Sequence, residues 1–216
     1  MKTLIYILLF SILSISQGLW AQQQDPKAKT ILDQVNAKYK KMDAFKAKFL
    51  YNMSSPTAGV NETFEGEIVV KDDMFYLQLP DQHVITDGKT QWTYLQDSKE
   101  VNVTEYDPAE EEITPNKIYS IYDKGFKFVF VEERTEQGQV YEIIDLVPED
   151  REVNYYKIRL KIVKSSKSIK SWEIFEKNAN RYLYNITYFA TVKVGKGYFR
   201  YNAKKYPNDV EVVDLR

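Results

Sequence analysis

The chain contains no cysteine among its 216 residues. Disulfide bonds, thiol catalysis and thiolate metal sites are therefore excluded, and the fold must be stabilised by its core alone. Histidine is almost as scarce, since His83 is the only one, and a histidine-rich metal site is excluded as well. Asp81 and Asp87 could flank His83, but no serine motif accompanies it. We interpret His83 as a surface or strand residue rather than a catalytic one.

The sequence also lacks the glycine-rich phosphate loops, the nucleophile elbow and the calcium-binding loop that mark common enzymes and ion sites. The clustered carboxylates of the chain do not form an alternative ion site or acid–base pair. Residues 110–112 are three glutamates near Asp107, without the ligand spacing of a calcium loop, and are typical of a solvated acidic loop. Adjacent carboxylates at 132–133 and 149–150 would point to opposite faces of a strand, which makes them poor acid–base partners. We therefore predict no enzyme activity, no cofactor and no metal site.

Long apolar runs are missing except at residues 4–15, and this run is shorter than the roughly 20 residues that span a bilayer. It follows Lys2 and precedes Ala21, which indicates a cleavable signal peptide at residues 1–21. Cleavage after Gly18 and an uncleaved anchor helix are the alternatives. Residues 22–216 are then predicted to form one soluble periplasmic domain. Without Lys2 it has 29 basic and 31 acidic residues, a net charge of −2, so we expect no broad attraction to nucleic acid or anionic membranes.

Two segments carry helix signals. Asp25-Pro26 is a capping residue followed by a first-turn proline, and apolar residues then recur every three to four positions to about Met42. Thr114-Pro115 is a similar start. Behind it, Ile118, Ile121 and Tyr122 have helical spacing, so a short amphipathic helix is predicted there. It interrupts a chain rich in strand signals and is expected to cover part of a sheet.

The rest of the chain reads as short strands separated by turns. Asp87-Gly88 is a tight-turn signal because both residues tolerate a positive φ. The predicted strands are residues 45–53, 62–70, 74–79, 83–86, 91–95, 100–104, 127–133, 140–146, 155–163, 168–175, 182–192 and 210–213. Residues 157–162 alternate charged and aliphatic side chains, so one side of this sheet faces water. The fold class is predicted as mostly β with few helices (α+β), in which one large antiparallel sheet curls on itself or packs as a sandwich.

Aromatic residues make up 14% of the chain, and several share a strand face by period two. For each single residue, ordinary core packing is the favoured interpretation. Taken together, they could line a cavity for acyl chains, because each buried CH₂ contributes roughly 0.8 kcal/mol. The candidate cavity residues are Phe75, Leu77, Leu79, Trp92, Tyr94, Phe128, Ile158 and Leu160, and the candidate lid residues are Ile118, Ile121 and Tyr122.

An ordered series of motifs resembles the LolA family of periplasmic lipoprotein carriers across nearly the whole chain after the signal peptide. The motifs are Tyr39 near the end of the first helix, GEIVV at 66–70, DG-x-x-x-W-x-Y at 87–94, Thr114-Pro115, IIDLVP at 143–148 and KYP-x-x-VEVVDL at 205–215. The forms of the last two motifs resemble the Bacteroidetes branch. The resemblance implies an unclosed antiparallel β half-barrel covered by an N-terminal helix and a short lid helix. It also implies a monomeric carrier that takes triacylated lipoproteins from an inner-membrane lipoprotein-releasing ABC transporter to an outer-membrane acceptor, here unknown.

One family feature is missing. Many members carry an Arg-Pro pair after the second strand, and that arginine contacts the lid. Here the matching residues are Lys71, Asp72, Asp73 and Met74, and a lysine lacks the planar fork that makes bidentate contacts. The resemblance therefore does not explain how this lid closes.

Two other functions stay open on the sequence. An envelope sensor or interaction module could use the same half-barrel, with a membrane-anchored partner and a cavity closed to lipid. A secreted hydrolase would instead need a polar cleft with clustered carboxylates.

Overall fold

The fold is known from a computed structural model that describes residues 24–107, 117–123 and 125–216. Its helix α1 comprises Pro26–Lys40, close to the predicted bounds. Asp25 caps the helix, because its side chain accepts hydrogen bonds from the backbone N–H groups of Lys27 and Ala28. A buried stripe of Ile31, Leu32, Val35 and Tyr39 turns one side of α1 toward the sheet. The predicted signal peptide and cleavage site lie outside the described residues.

Every predicted strand is present, with ends within two or three residues of the prediction. The strands are β1 Phe45–Ser55, β2 Val60–Lys71, β3 Met74–Gln78, β4 Gln82–Thr86, β5 Thr90–Leu95, β6 Glu100–Glu105, β7 Phe126–Glu136, β8 Gln139–Pro148, β9 Tyr155–Val163, β10 Ser168–Glu176, β11 Arg181–Thr191 and β12 Glu211–Asp214. Turn chemistry explains the breaks between them. Gly88, for example, has a φ of 88°, and the Asp87 side chain accepts from the N–H groups of Lys89 and Thr90.

All twelve strands form one sheet, in the order β12-β6-β5-β4-β3-β2-β1-β11-β10-β9-β8-β7. Each pair is antiparallel except β12, which runs parallel to β6. In the described chain the outermost strands, β12 and β7, do not pair with each other, so the sheet stays open. The prediction of an unclosed antiparallel sheet covered by an N-terminal helix is confirmed.

The two faces of the sheet are covered differently. The inner face, which carries Phe45, Ala47 and Phe49 of β1, packs against α1 and residues 118–122 in one continuous apolar core. The outer face is covered over β2–β6 by the C-terminal residues 192–210. Over β8–β10 it is charged, as the alternation at 157–162 predicts, with Arg159 donating two hydrogen bonds to Asp145 at 2.7 and 2.8 Å.

The free edge of β7 is protected by the residues that start α1. Gln24 donates to the carbonyl oxygen of Phe126 and accepts from the N–H of Phe128, both at 3.0 Å. Asp25 accepts from the N–H of Phe130 at 2.8 Å. These contacts satisfy edge groups that would otherwise invite pairing with another chain.

The predicted second helix differs from what the structure shows. Its expected start at Thr114-Pro115, and the glutamates of the acidic loop, lie outside the described residues. The described part is a turn at 117–120 followed by one 3₁₀ turn, Ile121–Asp123, rather than an α-helix. Residues 118–122 nevertheless cover the inner face, and we call them the lid. No helix in the described ranges is long and apolar enough to cross a membrane.

Gly66 on β2 offers a test of inner-face packing. The ring of Phe49, 2% exposed, lies over Gly66, and a Cβ added there would come 2.4 Å from the Phe49 Cζ atom. We expect Gly66→Ala to lower the free energy of unfolding by about 1–3 kcal/mol through overpacking, measured by denaturant unfolding. Gly195→Ala is the control, because its added Cβ meets no atom within 4 Å. Equal stability of the two variants would contradict this packing.

Candidate functional site

The candidate site is the part of the inner face beneath the lid. Strand register places the side chains of Phe45, Ala47 and Phe49 beside Ile68 of β2 and Phe189 of β11. The lid and the end of α1 close over this surface and leave a small cavity of about 20 Å³, close to the space needed for one water molecule. The cavity is lined by Tyr39, Phe45, Ala47, Phe49, Ile68, Ile118, Tyr119, Ile169, Trp172, Ile186 and Phe189.

Tyr39 joins the helix, the lid and the sheet at this cavity. Its ring stacks on the Tyr119 ring of the lid, with centroids 5.0 Å apart and planes 4° apart. Its hydroxyl oxygen accepts from the N–H of Ile169 at 3.2 Å. Burial raises the pKa of Tyr39 to about 12, so the hydroxyl stays neutral and the wall stays uncharged at physiological pH.

Polar contacts between α1 and residues 122–123, at the end of the lid, form what we call the latch: Asp33, Asn36, Tyr122 and Asp123. The Tyr122 hydroxyl donates to Asp33 Oδ1 at 2.9 Å. Asn36 Nδ2 donates to Tyr122 Oη at 3.4 Å and to Asp123 Oδ2 at 3.3 Å. Burial raises the pKa of Tyr122 well above its usual value, which keeps the donor proton in place. Lys71, the basic residue in the segment where the family carries its arginine, pairs with Asp43 at 2.5 Å.

Beyond the lid the inner face is half-exposed and aromatic. Tyr184 stacks on Trp172 with centroids 4.6 Å apart and lies 4.7 Å from the ring of Tyr51. Tyr51 in turn stacks on Tyr182 at 6.2 Å. Because Trp172 and Phe49 line the cavity and also contact Tyr184, this aromatic ladder (Tyr51, Trp172, Tyr182 and Tyr184) continues directly from the closed cavity.

The structure brings six of the eight candidate cavity residues to the inner-face core. Phe75, Phe128, Ile158 and Leu160 are buried in it, and Leu77 and Leu79 are partly buried against it. The lid residues Ile118 and Tyr122 are buried in the same core, with Ile121 packed against it.

Trp92 and Tyr94 do not join them, which corrects their placement. They lie on the outer face, because β4–β5 pairing puts them beside Ile85 and His83. There they pack under the C-terminal segment, and Tyr94 lies 4.7 Å from the ring of Tyr206. Period-two alternation groups Trp92 with Tyr94 correctly but does not say which face they occupy.

His83 belongs to the same outer cluster. Its Nδ1 atom lies 3.3 Å from the hydroxyl of Tyr206, and burial lowers the pKa of His83. The described residues contain no group of histidine and carboxylate side chains that could hold a metal ion.

The inner-face residues that the sequence analysis does not identify, in the cavity wall and the aromatic ladder, lie mostly on β1, β10 and β11. Phe49 and Tyr51 on β1, and Tyr182 and Tyr184 on β11, follow the same period-two alternation as Phe75, Leu77 and Leu79, and this alternation is the signal that identifies them. Trp172 stands with Ile174 on the inner face of β10 in the same way.

The latch gives a first prediction for the site. We expect Tyr122→Phe to lower the free energy of unfolding by about 1 kcal/mol, because a buried hydrogen bond is lost, and to speed amide exchange in residues 118–123. Hydrogen exchange resolved by peptide measures this. Tyr119→Phe is the matched control, since its hydroxyl has no hydrogen-bond partner among the described residues. Equal exchange in the two variants would rule out the latch.

Asp33 also gives the latch a pH dependence. Its pKa is lowered, mainly by the hydrogen bond from Lys29 and further by the one from Tyr122. A lowered pKa means that the ionised carboxylate stabilises the fold above the unfolded value of 3.8, and that this contribution is lost as pH falls through the folded pKa. Lid exchange, corrected for intrinsic rates, should therefore rise below pH 3.8 in the wild type and rise less in Asp33→Asn. The same acid response in both would refute this role.

Comparison with known proteins places the chain in a family. The sequence profile of a family described as outer membrane lipoprotein carrier protein LolA matches residues 20–179. No curated protein matches the chain.

Several solved structures resemble this one. An uncharacterized conserved protein from Thermus thermophilus aligns with a TM-score of 0.58 at 12% identity, covering 87% of this chain and 99% of that one. A putative outer membrane lipoprotein-sorting protein domain from Vibrio parahaemolyticus aligns with a TM-score of 0.46 at 11% identity, covering 80% and 96%. The Pseudomonas aeruginosa MucA/MucB complex contains a chain that aligns at 0.49 and 15% identity, covering 82% and 62%.

Proposed function

Because the chain belongs to the family of outer membrane lipoprotein carrier proteins, LolA, we propose that it is a periplasmic carrier of lipoproteins. It binds the acyl chains of triacylated lipoproteins on the inner face of the sheet. It receives them from an inner-membrane lipoprotein-releasing ABC transporter and delivers them to an outer-membrane acceptor. The signal peptide and the Bacteroidetes branch stay predictions.

The observation that carries this proposal is the continuity of the apolar inner face from the closed cavity to the open aromatic ladder. Leu77, Leu79, Phe128, Ile158 and Leu160 extend the same surface on either side. An acyl chain laid along it gains roughly 0.8 kcal/mol for each buried CH₂. A cavity with these apolar walls is also unsuited to hydrolysis, which would need clustered carboxylates.

Loading requires the lid to move, because a cavity of about 20 Å³ holds no acyl chain. Opening exposes Ile118 and Tyr122 and breaks the latch, and an incoming chain restores the lost apolar contacts. Asn36 Oδ1 is buried and lacks a hydrogen-bond partner within the described part of the chain, so the closed lid carries an unsatisfied polar group. Water that enters on opening can satisfy it, which lowers the cost of opening.

An interaction module is the second candidate. The closed cavity favours it, because a protein that only binds a partner needs no space for lipid. It differs from the carrier in one measurable property, the uptake of acyl chains.

The test is uptake of a fluorescent fatty acid and of a triacylated lipoprotein by delipidated protein. We expect saturable binding of both, and about tenfold weaker binding by Ile186→Ser, which removes apolar surface from the cavity wall. Failure of both ligands at micromolar concentration would contradict the carrier and favour the interaction module.

Val147→Ser is the matched control for Ile186→Ser. Val147 is an aliphatic strand residue that is 42% exposed on the other side of the sheet, so its replacement should leave uptake unchanged. Trp92→Phe should also leave it unchanged, since Trp92 lies on the outer face. A loss of uptake in Trp92→Phe equal to that in Ile186→Ser would show that the inner face is not the binding surface.

A further inference from the structure

The near-neutral charge of the chain conceals a strongly basic C-terminal stretch. From residue 177 to residue 208 the sequence has seven lysines and arginines and no aspartate or glutamate. Five of these cations fall within residues 192–207, which we call the basic strap: Lys193, Lys196, Arg200, Lys204 and Lys205.

The strap packs against the outer face through its aromatic residues. Phe199 is fully buried among Val69, Met74 and Ile85. Tyr206 is buried beside Tyr94. Each anchor adjoins a 3₁₀ turn, Lys196–Phe199 and Ala203–Lys205, so Lys196, Lys204 and Lys205 extend from regular backbone.

The strap cations point to solvent and are largely free of carboxylate partners. All five are exposed, and only Arg200 has a carboxylate within 4 Å in the described chain, Asp87 at 3.6 Å. The β8–β10 side of the same face is different. Lysines there are paired, for example Lys161 with Glu136 at 2.5 Å and Lys157 with Asp145 at 3.6 Å.

Neighbouring residues of the sheet extend the basic surface. Lys46 and Lys48 of β1 lie on the outer face and share one carboxylate, Glu67. Tyr188 is paired with Lys48 across β1–β11 and is 50% exposed. An exposed tyrosine among lysines is typical of surfaces that meet the boundary between membrane and water, because its ring is apolar and its hydroxyl is wetted.

We propose that the basic strap, with Tyr188, Lys46 and Lys48, is a docking surface for an anionic phospholipid bilayer. Lys193, Lys196, Lys204 and Lys205 have no carboxylate within 4 Å among the described residues, so they gain attraction to such a surface without losing an ion pair. The strap lies on the face opposite α1 and the lid, so a docked molecule keeps its inner-face cavity unobstructed. This inference does not depend on the proposed carrier function.

The test is flotation of the cargo-free chain with vesicles of phosphatidylcholine, with and without phosphatidylglycerol. We expect binding only to the anionic vesicles, and its loss in about 1 M salt, where the screening length falls to roughly 3 Å. The variant Lys193→Gln/Lys196→Gln/Lys204→Gln should bind about 100-fold more weakly, since each lysine near an anionic surface contributes about fivefold.

The matched control is Lys40→Gln/Lys41→Gln/Lys127→Gln, which removes three exposed lysines elsewhere and has the same net charge. This control variant should keep most of the wild-type binding to anionic vesicles. An equal loss of vesicle binding in both variants would overturn the docking surface, because net charge alone would then explain binding. If the wild type does not bind anionic vesicles, the proposal is also overturned, and the strap then has an acidic protein partner or no partner. Fatty-acid uptake by the strap variant should stay normal, so failure here is distinct from failure of the carrier proposal. Matching circular dichroism spectra and thermal midpoints confirm that both variants fold.

Discussion

An open sheet of twelve strands leaves two faces and two edges to be covered, and the rest of the structure follows from that constraint. A closed barrel would have removed the edges. Here Gln24 and Asp25 satisfy the free edge of β7 with side-chain hydrogen bonds. With only one α-helix among the described residues, the inner face is covered by α1 and a short lid. The aromatic ladder extends beyond this cover, and this incomplete coverage makes the inner face a candidate binding surface.

Opposing interactions determine the stability of the closed lid. Tight packing of Tyr39, Tyr119 and Tyr122 closes the inner face, and the hydrogen bond between Tyr122 and Asp33 fixes the lid to α1. The buried side-chain oxygen of Asn36, which has no hydrogen-bond partner among the described residues, works against closure. A lid held by these few polar contacts is suited to the opening that the proposed carrier function requires.

The fold separates paired charges from unpaired ones on the outer face, and the net charge of the chain does not show this separation. The chain has 30 basic and 31 acidic residues, and the sequence argument from that balance predicts no attraction to anionic membranes. In the structure, acidic residues of the outer face on β7 and β8 are matched with cations of β9, as Glu136 is with Lys161 and Asp145 with Arg159. On the strap, by contrast, four of the five cations have no carboxylate within 4 Å in the described part of the chain, because Phe199 and Tyr206 anchor an acid-free segment there.

Local pattern determined most of the secondary structure. Asp25-Pro26 starts α1, the turn residues separate the strands, and period-two alternation places Phe75, Leu77 and Leu79 on one face because side chains on a strand alternate by geometry alone. The 3₁₀ form of the lid and the outer position of Trp92 and Tyr94 were decided by tertiary structure. Period-two alternation in a sequence groups side chains by face, but it does not show which segment of the chain covers each face. The hydrogen bond between Tyr122 and Asp33 joins residues 89 positions apart, and no spacing in a sequence encodes a contact that exists only after a helix and a lid close over the same sheet.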